Sequence, residues 1–150
     1  MIEIHCPTES DTRAVARKLA ACLAPGDVVV LAGGLGAGKT LFTSGVAAGL
    51  GIDEPVVSPS FVLVRRYDSG FLPLVHVDVY RLSSANEFDD LDVFGMASDG
   101  VLVIEWGDAV ESLLPREHLR VMFEVGSDES RDLRIVGTSA WAERGLEGLL

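Results

Sequence analysis

The sequence predicts a three-layer α/β domain whose central sheet is mixed and mainly parallel, with antiparallel hairpins. Three observations carry that expectation. Val28–Ala32 and Val101–Ile104 are unbroken apolar runs of strand length, the pattern of strands buried on both faces. A glycine-rich stretch joins the first of these runs to a helical segment. Two pairs of β-rich segments are separated by turn residues, which adds hairpins to the parallel strands.

In chain order, Ile2–Cys6 alternates like a short strand. Thr8 or Ser10 can cap a helix that places Val15, Leu19, Cys22 and Leu23 on one face. Pro25-Gly26-Asp27 turns the chain into the first apolar run, and a helix from about Lys39 to Leu50 is stopped by Gly51. Phe61–Tyr67 and Leu72–Tyr80 flank Asp68-Ser69-Gly70 as a hairpin. Ser84–Phe94 is an acidic segment read as a short helix, and Val101–Ile104 follows. Leu119–Val125 and Leu133–Val136 form a second hairpin around Gly126–Arg131, and Ser139–Leu150 carries a weak helical pattern. With no repeat, low-complexity tract or linker, residues 1–150 read as a single domain.

Composition narrows the function classes. Hydrophobic residues at 48% and charged residues at 23% describe a globular chain, and 150 residues suffice for one core. No apolar run approaches the roughly 18–20 residues of a membrane span. Met1-Ile2-Glu3-Ile4-His5 lacks the basic start and apolar stretch of a signal peptide. Cys6 and Cys22 form no CxxC pair, which argues against a disulfide framework or a zinc site and for a reducing, cytoplasmic setting. Twelve Lys+Arg against 23 Asp+Glu give a formal charge of −11, and no basic cluster exceeds Arg65-Arg66. Such a chain repels polyanions, so strong direct binding to nucleic acid is not expected. An acidic surface serves solubility, or docking to a basic protein partner.

The most specific signal is Gly33-Gly34-Leu35-Gly36-Ala37-Gly38-Lys39-Thr40, a match to GxxxxGK[ST] between a buried strand and a helix. Backbone N–H groups that turn inward around phosphate oxygens require φ/ψ values that side chains obstruct, hence the glycines. Lys39 supplies a point charge to the β- and γ-phosphates, Thr40 a hydroxyl to Mg²⁺, and the helix N-terminus aims its positive end at the same anion. A phosphate loop of this kind calls for a carboxylate across the metal, delivered by a neighbouring buried strand. Val101-Leu102-Val103-Ile104-Glu105 has that form. Asp78 also ends a strand-like stretch, Leu74-Val75-His76-Val77-Asp78. Two acids at two strand ends divide two tasks, metal binding and orientation of the attacking water, and the residues alone leave the assignment open. His76 reads as a half-buried strand residue rather than a base. Trp106 either shields the site or packs beneath it.

These residues resemble the TsaE (YjeE) family, ATPases of bacterial tRNA threonylcarbamoyladenosine biosynthesis, from about Thr8 to Arg134. The resemblance rests on Leu35-Gly36-Ala37-Gly38-Lys39-Thr40, Ser58-Pro59-Ser60-Phe61, Asp78-Val79-Tyr80-Arg81-Leu82 and Ile104-Glu105-Trp106, in matching order and spacing. It implies a P-loop NTPase-like fold and an ATP-hydrolysing site. Gly36, Ala37, Gly38, Lys39, Thr40 and Leu41 wrap the phosphates of ATP, and Thr40 and Glu105 bind Mg²⁺. Ser60 lies on a switch-like loop near the γ-phosphate, and Asp78 acts on the water. It further implies that the segment Thr8–Thr12, with Glu9 and Thr12, lies near the base and that Arg131 is a nucleotide-side arginine. TsaD and TsaB are the implied partners. The chain departs from the family pattern at Gly34, where an acid is usual, at Ser60, where Thr is common, and at Leu41, where a second Thr often follows.

Three rival readings have less support. A small P-loop kinase needs a lid with several arginines; here the arginines are scattered and no lid-sized insertion follows the phosphate-loop helix. A GTPase normally carries NKxD, which is absent; Asp92-Val93-Phe94-Gly95 fits DxxG but follows no convincing strand. A nucleotide-sensing module with negligible turnover is the third, since no arginine finger is identifiable and Arg81 is a candidate only by proximity in sequence.

Overall fold

The structure is a computed structural model that describes residues 1–59, 64–79 and 85–150. The elements run β1 (Ile2–Cys6), α1 (Glu9–Ala20), β2 (Val28–Ala32), α2 (Lys39–Gly49), β3 (Val64–Tyr67) and β4 (Leu74–Asp78). Two short helices, α3 (Ala85–Asp90) and α4 (Val93–Met96), precede β5 (Val101–Glu105) and a 3₁₀ segment (Gly107–Leu113). Then come β6 (Leu119–Val125), β7 (Arg131–Gly137) and two single-turn helices, α5 (Ser139–Ala142) and α6 (Leu146–Leu149).

The seven-stranded sheet has the order β1-β7-β6-β2-β5-β4-β3. Its four central strands, β6, β2, β5 and β4, are parallel, and β3, β7 and β1 pair antiparallel at the flanks. This is the expected mixed sheet. One apolar layer holds Val29, Leu31, Val101 and Val103 against Leu19, Phe42 and Val46 of α1 and α2. The opposite layer holds Val28, Val30, Leu102 and Ile104 against Phe88 and Val93. Successive residues of β2 and β5 therefore serve both layers, which is why neither run contains a polar residue before its end. Each fully buried Val or Leu contributes about 1.5–3 kcal/mol.

Of the two cap candidates for α1, Thr8 fills the role. The Asp11 N–H donates to Thr8 Oγ1 at 3.2 Å and the Thr8 N–H donates to Asp11 Oδ2 at 3.0 Å, a reciprocal box. α1 then crosses α2 at unusually close range. A Cβ added to Gly49 would lie 2.5 Å from Ala20 Cβ and 2.7 Å from the Arg17 carbonyl oxygen. Gly45 meets Ala16 in the same way. The pair of glycines lets the α1 backbone sit directly on α2, which carries the phosphate loop at its start.

Three local expectations are refined. The acidic segment divides into α3 and α4 because Asp92 takes a left-handed conformation at φ 51°. The C-terminal segment divides likewise at Gly145, φ 70°. Leu74–Asp78 is buried at all five positions, because β4 lies inside the sheet with helices over it. Of the first hairpin, β3 and β4 pair from Val64 with Val77 to Tyr67 with Leu74.

Gly49→Ala tests the helix crossing. Helix propensity alone would favour alanine by about 1 kcal/mol, but the clash is with backbone and Cβ atoms that cannot rotate away. A net loss of about 1–3 kcal/mol is expected as a lower urea midpoint at unchanged slope; an equal or higher midpoint would contradict the close contact.

Candidate functional site

The loop between β2 and α2 is shaped by its backbone. Gly36 and Gly38 have φ of 76° and 104°, the left-handed region that glycine enters without penalty. A Cβ at either position would meet nothing within 4 Å, so conformation and not crowding selects glycine there. Gly34 also faces open space, so the missing family acid is not excluded by its neighbours. Lys39 folds back over the loop and donates from Nζ to the carbonyl oxygens of Gly33 and Gly34, each at 2.8 Å. The same ammonium lies 3.5 Å from the centroid of the Trp106 ring. Lys39 is 5% exposed. Burial holds its pKa below the ordinary 10.5, and the negative charges of Glu105 and then Asp78 offset part of that shift.

Arg131, the first residue of β7, braces the loop from outside the cavity. Its Nε donates to the Ala37 carbonyl at 2.9 Å and one terminal nitrogen donates to the Gly36 carbonyl at 3.2 Å. It also bonds the carbonyls of Asp128 and Ser130, so one guanidinium ties the loop to the β6–β7 turn.

The acids arrive from β4 and β5. Parallel pairing sets Asp78 opposite Glu105 at the carboxyl ends of both strands, and both are nearly buried. Thr40 Oγ1 donates toward the Glu105 carboxylate, 3.3 Å from Oε1 and 3.2 Å from Oε2, although the residues are 65 apart in sequence. His76 Nε2 contacts Glu105 Oε2 from beneath. Trp106, next along the chain, is held at φ 64°, a left-handed conformation rare for a bulky residue. That turn brings its ring over Lys39 instead of continuing β5.

A cavity of about 460 Å³ opens between these parts, lined by Gly36–Leu41, Asp78, Glu105, Trp106, Leu35 and Ser58. Among the residues named from sequence, the phosphate-loop set, both acids and Lys39 thus share one cavity. Ser60 and Arg81 lie outside the described residues. Glu9 is exposed on the first turn of α1, and Thr12 is fully buried with its hydroxyl 3.5 Å from the Thr8 carbonyl. Neither lines the cavity; they lie on the helix that follows Cys6, the residue paired with Arg131. Sequence reading missed two features. His76 is fully buried, not half-buried, and touches Glu105; a histidine inside an apolar strand two residues before an acid was the available signal. The bracing role of Arg131 left no local signal, since its carbonyl partners are 94 and 95 residues away.

Among the described residues no group of three or more His, Cys, Asp or Glu forms a metal cage. What the cavity offers instead is the Thr40 hydroxyl against the Glu105 carboxylate, with Asp78 beside them and the glycine-rich loop opposite. Mg²⁺ suits such a donor set, because it keeps several waters and takes one or two protein oxygens plus phosphate oxygens.

Comparison with known proteins decides the family. The sequence model of the threonylcarbamoyl adenosine biosynthesis protein TsaE matches residues 6–133. The chain belongs to the TsaE family. It is 43% identical over 123 residues to the tRNA threonylcarbamoyladenosine biosynthesis protein TsaE of Bacillus subtilis, spanning 82% of this chain and 77% of that one. It is 44% identical over 138 residues to the TsaE of Streptomyces coelicolor, spanning 87% and 93%. The crystal structure of Bacillus subtilis YdiB superposes with a TM-score of 0.81 at 35% identity, covering 99% of this chain and 93% of that one. The P-loop NTPase-like architecture of this TsaE-family chain is accordingly shared with a solved structure.

The lysines of the chain are Lys18 and Lys39, so selective isotope labelling isolates both side chains. The Lys39 resonance is expected to titrate below 10.5. Between its folded value and 10.5 the unfolded chain binds more protons at this residue, so its contribution to stability rises with pH across that window. A Lys39 midpoint at or above 10.5 would contradict the burial of its ammonium.

Proposed function

We propose that this TsaE-family chain binds ATP with Mg²⁺ in the cavity above α2 and hydrolyses it to ADP and phosphate. The observation that carries the reading is the contact of Thr40 with Glu105, a hydroxyl and a carboxylate brought together beside Lys39 from distant parts of the sequence. In the proposed complex the loop N–H groups of Gly36–Leu41 bind the phosphate oxygens, and Lys39 exchanges its two loop carbonyls for the β- and γ-phosphates. Thr40 and Glu105 would hold the metal, which would supply positive charge to the phosphate oxygens. Asp78, buried beside Glu105, accepts a hydrogen bond from the water that attacks the γ-phosphorus, with Ser60 assisting. Water forms the new P–O bond as the bond to the β-phosphate oxygen breaks. In this reading the exposed Glu9 on the first turn of α1 lies toward the base end of the nucleotide, the buried Thr12 supports that turn from within, and Arg131 holds the loop that wraps the phosphates.

The cavity wall carries one cationic side chain among the described residues, Lys39. An arginine that stabilises the transferred charge is worth roughly 10³–10⁵ in rate. This supports slow turnover by the chain alone, and a partner that completes the site. Family membership supports TsaD- and TsaB-like proteins as those partners, in formation of N6-threonylcarbamoyladenosine at position 37 of tRNAs, in the cytoplasm. No described helix is long and apolar enough to cross a membrane.

Lys39→Ala is expected to weaken ATP binding about 10- to 100-fold, the loss of charge-assisted hydrogen bonds; calorimetric titration with unchanged affinity would remove the site from this cavity. Glu105→Ala should bind ATP in EDTA yet lose about 10²-fold or more of Mg²⁺-dependent turnover. Phosphate release measured with ATP or GTP, before and after addition of TsaD and TsaB, tests the whole reading. Partner-stimulated ATP turnover supports it, whereas binding without turnover in either condition points to a nucleotide-sensing module.

A further inference from the structure

We propose that His76 is a positioning residue, which holds the Glu105 carboxylate in the orientation that a metal–nucleotide complex requires. The inference rests on the metal-binding role proposed above for Glu105.

His76 is fully buried in the middle of β4, on the face turned toward the layer under α1 and α2. Its strand neighbour in register is Val103, and Leu74, two residues earlier on the same face, belongs to the apolar cluster. An imidazole is costly there unless its nitrogens are bonded. Nδ1 has no hydrogen-bond partner among the described residues, so its placement is not explained by a satisfied core network. The polar contact that the ring does make is Nε2 to Glu105 Oε2. The tautomer that serves this contact carries its proton on Nε2, which leaves a lone pair and not an N–H at the unpartnered Nδ1.

Glu105 is therefore held twice, from beneath by His76 and from above by Thr40. The two restraints differ in what happens when the site fills. Thr40 must turn its hydroxyl toward the cation, and the carboxylate then loses that donor. His76 is locked by packing on every side and keeps its bond. Without it, a glutamate side chain with three rotatable bonds has no fixed partner at the moment its geometry matters. Donors that orient a ligating carboxylate typically carry 10- to 100-fold of metal affinity.

The test compares His76→Leu, which removes the donor at similar volume, with His76→Gln, which can return an N–H near the position of Nε2. Mn²⁺ binding in the presence of ADP is followed by electron paramagnetic resonance, and ADP binding in EDTA by calorimetry. His76→Leu is expected to weaken Mn²⁺ about 10-fold or more, to leave ADP binding in EDTA within about two-fold, and to be largely rescued in His76→Gln. Equal Mn²⁺ affinity in the parent and His76→Leu, or equal weakening in both variants, overturns the proposal. Should the leucine variant not fold, imidazole nitrogen resonances of the parent decide the matter. A proton on Nε2 that persists on adding Mg²⁺ and ADP supports the role, and a proton on Nδ1 overturns it. A parent protein that binds ADP but no Mn²⁺ overturns the metal role of Glu105 itself, an outcome separate from unequal effects of the two variants.

Discussion

The parallel pairing of β2 with β5 is the constraint on which the site depends. It sets Leu31 opposite Glu105, and the Trp106 N–H then donates to the Leu31 carbonyl at 2.9 Å. Because side chains alternate along both strands, this register decides that Glu105 emerges on the α2 side, facing the first turn of the helix that begins at Lys39. A slip of one residue would send the carboxylate into the opposite apolar layer beside Phe88 and Val93. The phosphate loop and its acid are thus coupled through the sheet, and the apolar residues of β2 and β5 fix the position of the polar ones.

That coupling concentrates charge in a place with little water. Lys39, Asp78 and Glu105 are all buried, and the fully buried His76 lies under them. Isolated charges at such depth are strongly disfavoured, so each must be matched. Lys39 is matched by two loop carbonyls and the face of Trp106, and Glu105 by Thr40 and His76. The close α1–α2 crossing and the Arg131 brace fix the backbone around these contacts.

Much of this was legible in the sequence where a local pattern sufficed. The unbroken apolar runs gave β2 and β5, GxxxxGK[ST] gave the loop, and Thr8, one of two cap candidates, gave the start of α1. Asp78 and Glu105 were legible as strand-end acids, although their pairing was not. Strand order was illegible for a physical reason: β6 beside β2 and β1 beside β7 are contacts between distant segments with no shared local pattern. The same holds for His76 beneath Glu105. The alternation of Leu74–Asp78 suggested a strand with one wet face, and only the neighbouring strands and helices reveal that both faces are covered. The left-handed turn at Trp106 was hidden as well, because nothing in a tryptophan announces a positive φ.

The edge strand β1 has a further consequence for how the chain matures on the ribosome. Among the described residues it pairs with β7 alone, and the pair His5–Asp132 spans 127 residues. β2 likewise waits for β5 and β6, both synthesised much later. The α1–α2 pair closes early, but the glycine-rich loop above it hangs from a strand whose first neighbour is β5, at Val101–Glu105, and whose second is β6, where Leu119 pairs with Val29. High contact order makes this final annealing slow relative to the helices. Until those strands arrive the wholly apolar segment Val28–Ala32 is exposed with unpaired edges, the condition that favours aggregation.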